Sequence, residues 1–301
     1  MDKIKAAFVG TGMIGAGLAA NAMLHGYDTT LYDVVDLDIV RRNIRHILDI
    51  LVEVSATTQE RADEVLAGCR FTNDLQEAVT GADFVQECIP ERLELKQSTY
   101  KTIQQVTGPD TIICSSTSKL FPSKLQEGAL YPQSILVGHP YNPSYLLPLI
   151  ELCGGERTSP EAIARAKAIY TGMGKVAVVC QKEIYGFIVN RLSWAALDAA
   201  KECVRDGVCS VEDMDKAIMF GPGMRMAVTG QLLTISLGVD GGFRAIAEKY
   251  GEEPSPYNEV YAQGVDEEIA NRDPAIGNTV EDVCKFRDHM FTELLKLHHL
   301  L

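Results

Sequence analysis

From Ile4 to Val179 the chain alternates short apolar runs with stretches whose apolar residues recur every three or four positions. Ile4 to Val9 has the length and composition of a buried parallel strand. It leads into Gly10-Thr11-Gly12-Met13-Ile14-Gly15 and a helical pattern through Leu24. Gly26 stops that helix, and Thr29 to Tyr32 forms a second strand ending at Asp33, which completes a βαβ unit. Leu37 to Leu66 reads as an inserted helical hairpin, with Thr58 the N-cap of its second helix. Further strands are expected at Arg70 to Thr72, Phe84 to Glu87, Thr111 to Cys114, Ile135 to Val137, Leu149 to Leu152 and Val176 to Val179. Helices at Leu93 to Val106 and Pro160 to Met173 fall among them. Strands and helices in alternation imply an α/β fold with a doubly wound, mostly parallel sheet.

Beyond Gly186 the spacing becomes helical throughout: Phe187 to Arg205, Val211 to Phe220, Leu232 to Leu237, Phe243 to Tyr250 and Val280 to Leu297. The expected organisation is an α/β domain over residues 1–184 and an all-helical domain over 185–301. At 301 residues and 46% hydrophobic content the chain can fill two cores.

Charge removes one class of partner. A net charge of −13 offers no clustered cations to displace the counterions of nucleic acid. The eight cysteines stand singly with no C-x-x-C pair, which argues against a metal site and for reduced thiols in the cytoplasm. The apolar stretch from Ala6 to Leu24 is broken by glycines and Asn21, unlike a secretory leader, and no run of about 18 apolar residues suits a membrane span.

The glycine-rich turn gains its meaning from context. G-x-G-x-x-G alone is weak, but here it follows a strand, opens a helix and is followed by Asp33 at the end of the next strand. Gly10 allows the tight turn, Gly12 the approach of a pyrophosphate and Gly15 close helix packing. The helix N-terminus, with Met13 and Ile14 in its first turn, supplies amide donors. An Asp at that strand end accepts from the ribose hydroxyls and repels a 2′-phosphate, and Val34, Val35 and Asp36 follow it rather than arginine. The expected cofactor is NAD, in a Rossmann-type domain.

Three separated polar segments remain: Ser115-Ser116-Thr117-Ser118, Gly138-His139-Pro140-Tyr141-Asn142-Pro143 and Gly186-Phe187-Ile188-Val189-Asn190-Arg191. Each alone suits a turn, a cap or a structural histidine. Together with Gln86-Glu87-Cys88-Ile89-Pro90-Glu91-Arg92-Leu93-Glu94-Leu95-Lys96 and Glu151, in this order along the chain, they resemble the 3-hydroxyacyl-CoA dehydrogenase superfamily. That resemblance implies an enzyme with His139 as the catalytic base, Glu151 orienting it, and Ser118 and Asn190 holding the reacting oxygen. It also assigns Pro90, Glu91, Lys96 and Ser116 to the cofactor; the alternative for Lys96 is a solvated helix lysine. A neutral imidazole suits removal of a hydroxyl proton as hydride leaves carbon, and a carboxylate on its other nitrogen fixes the tautomer.

Charge also bears on the substrate. In the thioester enzymes of that superfamily the helical hairpin contacts CoA, yet Ile47 to Gly68 holds five acids and only Arg61. Tyr145-Leu146-Leu147-Pro148-Leu149-Ile150-Glu151 and Gly221-Pro222-Gly223-Met224-Arg225 resemble instead the free-acid branch, which includes the carnitine and gulonate dehydrogenases and lambda-crystallin. The substrate implied is a small hydroxy acid, carnitine before gulonate, oxidised at carbon 3. A 3-hydroxybutyryl-CoA dehydrogenase is the rival, and a non-catalytic crystallin-like or NAD-sensing protein the remaining one. Arg225 is expected to clamp the carboxylate, against a domain-packing ion pair. Tyr141, Tyr145, Tyr185, Trp194 and Phe220 could face a trimethylammonium group. Met226 and Asn190 depart from the carnitine pattern. The resemblance further implies a homodimer through the helical domain.

Overall fold

Why the chain needs buried strands on both faces is visible in β1 (Lys5–Val9): Ala6 and Phe8 pack into one core, Ala7 and Val9 into another, and all four are buried. The structure, a computed structural model, describes residues 3–301. The other strands are β2 (Asp28–Tyr32), β3 (Arg70–Thr72), β4 (Phe84–Glu87), β5 (Ile112–Ser115), β6 (Ile135–Pro140), β7 (Leu149–Gly154) and β8 (Val176–Cys180). They form one sheet in the order β3-β2-β1-β4-β5-β6-β7-β8. Helices α1 (Met13–Leu24), α2 (Leu37–Glu53), α3 (Gln59–Gly68), α4 (Leu75–Val79), α5 (Leu93–Thr107), α6 (Pro122–Leu125) and α7 (Pro160–Gly172) accompany it. Thr58 caps α3 as expected, its hydroxyl accepting from Arg61 N at 3.2 Å.

The pairing is parallel except between β6 and β7. Only residues 141–148 join those two strands, too few for a crossover, so the chain returns antiparallel. The return sets His139 directly opposite Glu151 in the ladder. No feature of the apolar pattern announces this reversal.

The chain divides between Ala195 and Ala196, inside α8 (Val189–Arg205), whose first turns belong to the α/β unit. The second unit is helical: α9 (Val211–Ile218), α10 (Met224–Thr229), α11 (Gln231–Leu237), α12 (Ile246–Tyr250), α13 (Asn258–Ala270) and α14 (Val280–Leu297). Its core gathers Leu233, Phe243, Ala262, Val265, Ile269 and Val283. Together the two units give the α/β sheet with an all-helical C-terminal region expected from the pattern.

Candidate active site

The glycine-rich turn lies at the carboxyl end of β1. A methyl carbon at Gly15 would lie 2.0 Å from Gly10 O, so only glycine lets α1 start this close to the strand. At Gly12 the same construction meets nothing within 4 Å. The first turn of α1 carries neither a side-chain cap nor an acid, so its amides are open to an anion. Exposed Met13 (66%) flanks them. Asp33 is held as a carboxylate: burial raises its pKa, but hydrogen bonds from the hydroxyl and amide of Thr11 and the amides of Val34 and Val35 outweigh that and lower it.

A cleft of about 350 Å³ runs from Gly12 and Ile14 past Cys88 to Glu91, Ser116 and Ser118. Its open glycine and uncapped helix, with the Asp33 carboxylate at the end of β2, fit a dinucleotide. Burial pushes the Cys88 thiol up to about 12, so it lines the cleft as an apolar group. Lys119 also lines the cleft, a residue the sequence reading missed although it directly follows Ser118. Glu91 Oε1 accepts from Ser118 N at 3.2 Å and from the Thr117 hydroxyl. Lys96 is no solvated helix lysine: it is 1% exposed, with Nζ 2.6 Å from Glu87 Oε1 and 3.5 Å from Glu91 Oε2. Glu87 ends a strand and belongs to the segment that carries the family resemblance, but it has no role assigned from the sequence; two adjacent polar residues, Gln86 and Glu87, at the end of a buried strand are the available signal. Pro90 is exposed in the turn before α5.

His139 and Glu151 face each other across β6 and β7, with Nδ1 2.8 Å from Glu151 Oε2. His139 is 5% exposed and Glu151 0%. The other carboxylate oxygen accepts from the amides of Ile188 at 2.8 Å and Val189 at 2.9 Å, at the start of α8. The buried Glu151 carboxylate thus accepts from three N–H donors, two of them at a helix N-terminus. A carboxylate has no proton to give, so His139 Nδ1–H donates and Nε2 keeps its lone pair. The turn that aims those amides has left-handed backbone at Gly186 (φ +76) and Phe187 (φ +50). Phe187 is buried and packs on the imidazole, ring centroids 5.4 Å apart. A side chain at Gly186 would strike Trp194, 2.4 Å away. Asn190 follows in the first turn of α8, half-buried.

Of the aromatic residues, Tyr141 shares a hydrogen bond with Ser193 at 2.8 Å, Tyr185 lies against Trp194, and Tyr145 packs on the sheet core. In the helical unit Phe220 packs on His298. Arg225 sits there too, in α10 rather than in a turn, since Pro222 and the kink at Gly221 introduce the helix. It is exposed, lines a cavity of about 180 Å³ with Arg287 and Thr229, and pairs with no acid of that unit among the described residues. No group of three metal-ligating side chains occurs among the described residues.

Two family descriptions match the chain: 3-hydroxyacyl-CoA dehydrogenase, NAD binding domain, over residues 5–184, and 3-hydroxyacyl-CoA dehydrogenase, C-terminal domain, over 186–275. An L-carnitine dehydrogenase of Pseudomonas putida is 40% identical over 248 residues, covering 81% of this chain and 76% of its own length. One from a Pseudomonas species is 36% identical over 302 residues, covering 96% of this chain and 92% of its own. Among solved structures, a 3-hydroxyacyl-CoA dehydrogenase of Archaeoglobus fulgidus shares the fold at a TM-score of 0.74, with 23% identity, over 99% of this chain and 100% of its own.

Proposed function

The chain belongs to the 3-hydroxyacyl-CoA dehydrogenase family, and on that premise we propose that it oxidises the 3-hydroxyl of L-carnitine to 3-dehydrocarnitine with NAD. The observation that carries the chemistry is the buried His139–Glu151 pair in the same sheet as the dinucleotide turn. When bound, NAD supplies a nicotinamide ring that accepts a hydride. Gly12, the amides of α1 and Asp33 would hold its pyrophosphate and adenosine ribose, and Glu91, with the buried Lys96 behind it, its nicotinamide end. His139 Nε2 takes the proton of the substrate hydroxyl as the C3–H bond gives up its electron pair and the C3–O double bond forms. Glu151 keeps the proton on Nδ1 throughout and stabilises the imidazolium. Ser118 and Asn190 orient the reacting oxygen, and Arg225 takes the substrate carboxylate.

A free acid is favoured over a CoA thioester by the state of the hairpin. Arg61 is tied to Glu64 at 2.7 Å, Arg45 to Asp63 at 2.6 Å and Asp49 at 3.7 Å, and Arg41 lies over the Phe71 ring, which leaves Arg42 the one hairpin arginine with neither an acid nor a ring partner among the described residues. Helix α8 buries no residue and exposes Leu192 and Leu197, which supports pairing with a second copy. No helix among the described residues is long and apolar enough to cross a membrane. All eight cysteines are free thiols, in keeping with the reducing cytoplasm. The test is NADH formation from L-carnitine, D-carnitine, L-gulonate, free 3-hydroxybutyrate and 3-hydroxybutyryl-CoA, with NAD and NADP compared. Turnover of L-carnitine with NAD supports the reading; preference for the thioester overturns it.

A further inference from the structure

Glu87 ends β4 and is 0% exposed, yet its carboxylate is fully engaged. Oε1 accepts from Ile89 N at 2.8 Å and Lys96 Nζ at 2.6 Å; Oε2 accepts from Ser115 Oγ at 2.7 Å and from the Tyr100 hydroxyl. These donors come from the turn after β4, from α5 and from β5. Burial and the adjacent carboxylate hold the Tyr100 proton in place, so the hydroxyl donates to Glu87. Lys96 continues the chain of contacts outward. Its ammonium also reaches Ile89 O at 3.2 Å and Glu91 Oε2 at 3.5 Å, and Glu91 in turn clamps Thr117 and Ser118 N. Only the last links, Glu91 and Ser118, line the cleft.

A buried ion pair is weak support for stability, since apolar residues of similar volume serve as well or better. What an apolar pair could not do is hold Glu91 in place through a shared ammonium. We propose that Glu87 is a positioning residue of the cofactor site, fixing Lys96 and through it Glu91 and the Thr117–Ser118 loop at the nicotinamide end of the cleft. It touches neither cofactor nor substrate. The inference rests on the cofactor reading above but not on the identity of the substrate.

Two variants test it, read by NADH binding through fluorescence, by thermal unfolding, and by the separate effects on KM for NAD and on kcat. Glu87→Gln can still accept from Lys96 and Ile89 while Tyr100 and Ser115 rotate to accept from its amide, so it folds, but Lys96 loses its counter-charge. Its Kd for NADH is expected to rise about tenfold, a typical cost of removing an outer-shell partner, with KM for NAD rising more than kcat falls. The double variant Glu87→Gln with Lys96→Met keeps an acceptor for Ile89 N and partners for Tyr100 and Ser115 while removing both buried charges, so it is expected to melt near the native temperature yet bind NADH as weakly as Glu87→Gln or more so. Native NADH affinity in either folded variant overturns the positioning role. Failure of the unaltered protein to bind NADH overturns the cofactor reading and this inference with it.

Discussion

Replacing Glu151 with Gln changes one oxygen for an amino group, and the surrounding donors decide which. Two of the three hydrogen bonds to this side chain come from backbone amides, Ile188 N at 2.8 Å and Val189 N at 2.9 Å, which cannot become acceptors. If the Gln oxygen turned towards His139, its amino group would oppose both amides. Two buried donors left without acceptors cost about 2–6 kcal/mol together. The Gln oxygen therefore stays with the amides and its amino group faces His139 Nδ1 across 2.8 Å. The ring must then offer a lone pair at Nδ1 and carry its proton on Nε2, where it cannot accept one from a substrate. Loss of the general base, with no anion left to stabilise an imidazolium, is expected to lower kcat by about 10³–10⁴, or roughly 4–5.5 kcal/mol in the barrier. Initial rates of NADH formation at saturating substrate measure this, with NADH affinity and the melting temperature as controls. A folded Glu151→Gln enzyme within tenfold of native kcat would falsify the tautomer argument.

Three other outcomes follow from the same geometry. Gly15→Ala puts a methyl carbon 2.0 Å from Gly10 O, so α1 must retreat; a loss of about 1–3 kcal/mol in urea unfolding and weaker NADH binding are expected, and unchanged affinity would refute the close-approach argument. Arg225→Ala should raise KM for the acid substrate about thirtyfold, the equivalent of about 2 kcal/mol, with little change in kcat and no restoration by Lys; an unchanged KM removes Arg225 from the site. Burial lowers the Lys175 pKa from 10.5 to about 8, while its ammonium donates to Ser144 O and Leu147 O. The unfolded chain then holds the extra proton between those values, so stability should rise with pH across that window, and Lys175→Met should flatten the rise. Parallel urea-unfolding series at pH 7 and pH 10 decide it, equal slopes in the two proteins counting against the assignment.

Most of the sheet was legible because buried parallel strands are apolar on both faces, and β3 and β4 have the bounds the sequence suggests. The dinucleotide turn was legible because its glycines answer to local sterics. The short α4 and α6 were not, being too brief to show a period. Nor was α13, where only Ala262, Val265 and Ile269 are buried among polar neighbours. At the site, the sequence singles out His139 and Glu151 separately, but their direct opposition depends on the antiparallel return of β7, a long-range fact. The part played by α8 was hidden in the same way, since backbone amides carry no side-chain signature. Lys96 shows the limit most sharply: the resemblance assigns it to the cofactor and its place in the first turn of a helix suits a solvated lysine, but neither reveals its burial, which the neighbouring strand end, Glu87, makes tolerable.

The central claim is hydride transfer from carbon 3 of a free hydroxy acid, with His139 as the base. Its most direct test is L-carnitine carrying deuterium at C3, with the reduced cofactor examined by mass spectrometry. One deuterium per NADH formed, with a slowed rate for the native enzyme and no turnover in His139→Ala, is the result expected. NADH formed without deuterium, or undiminished turnover in His139→Ala, would contradict the account.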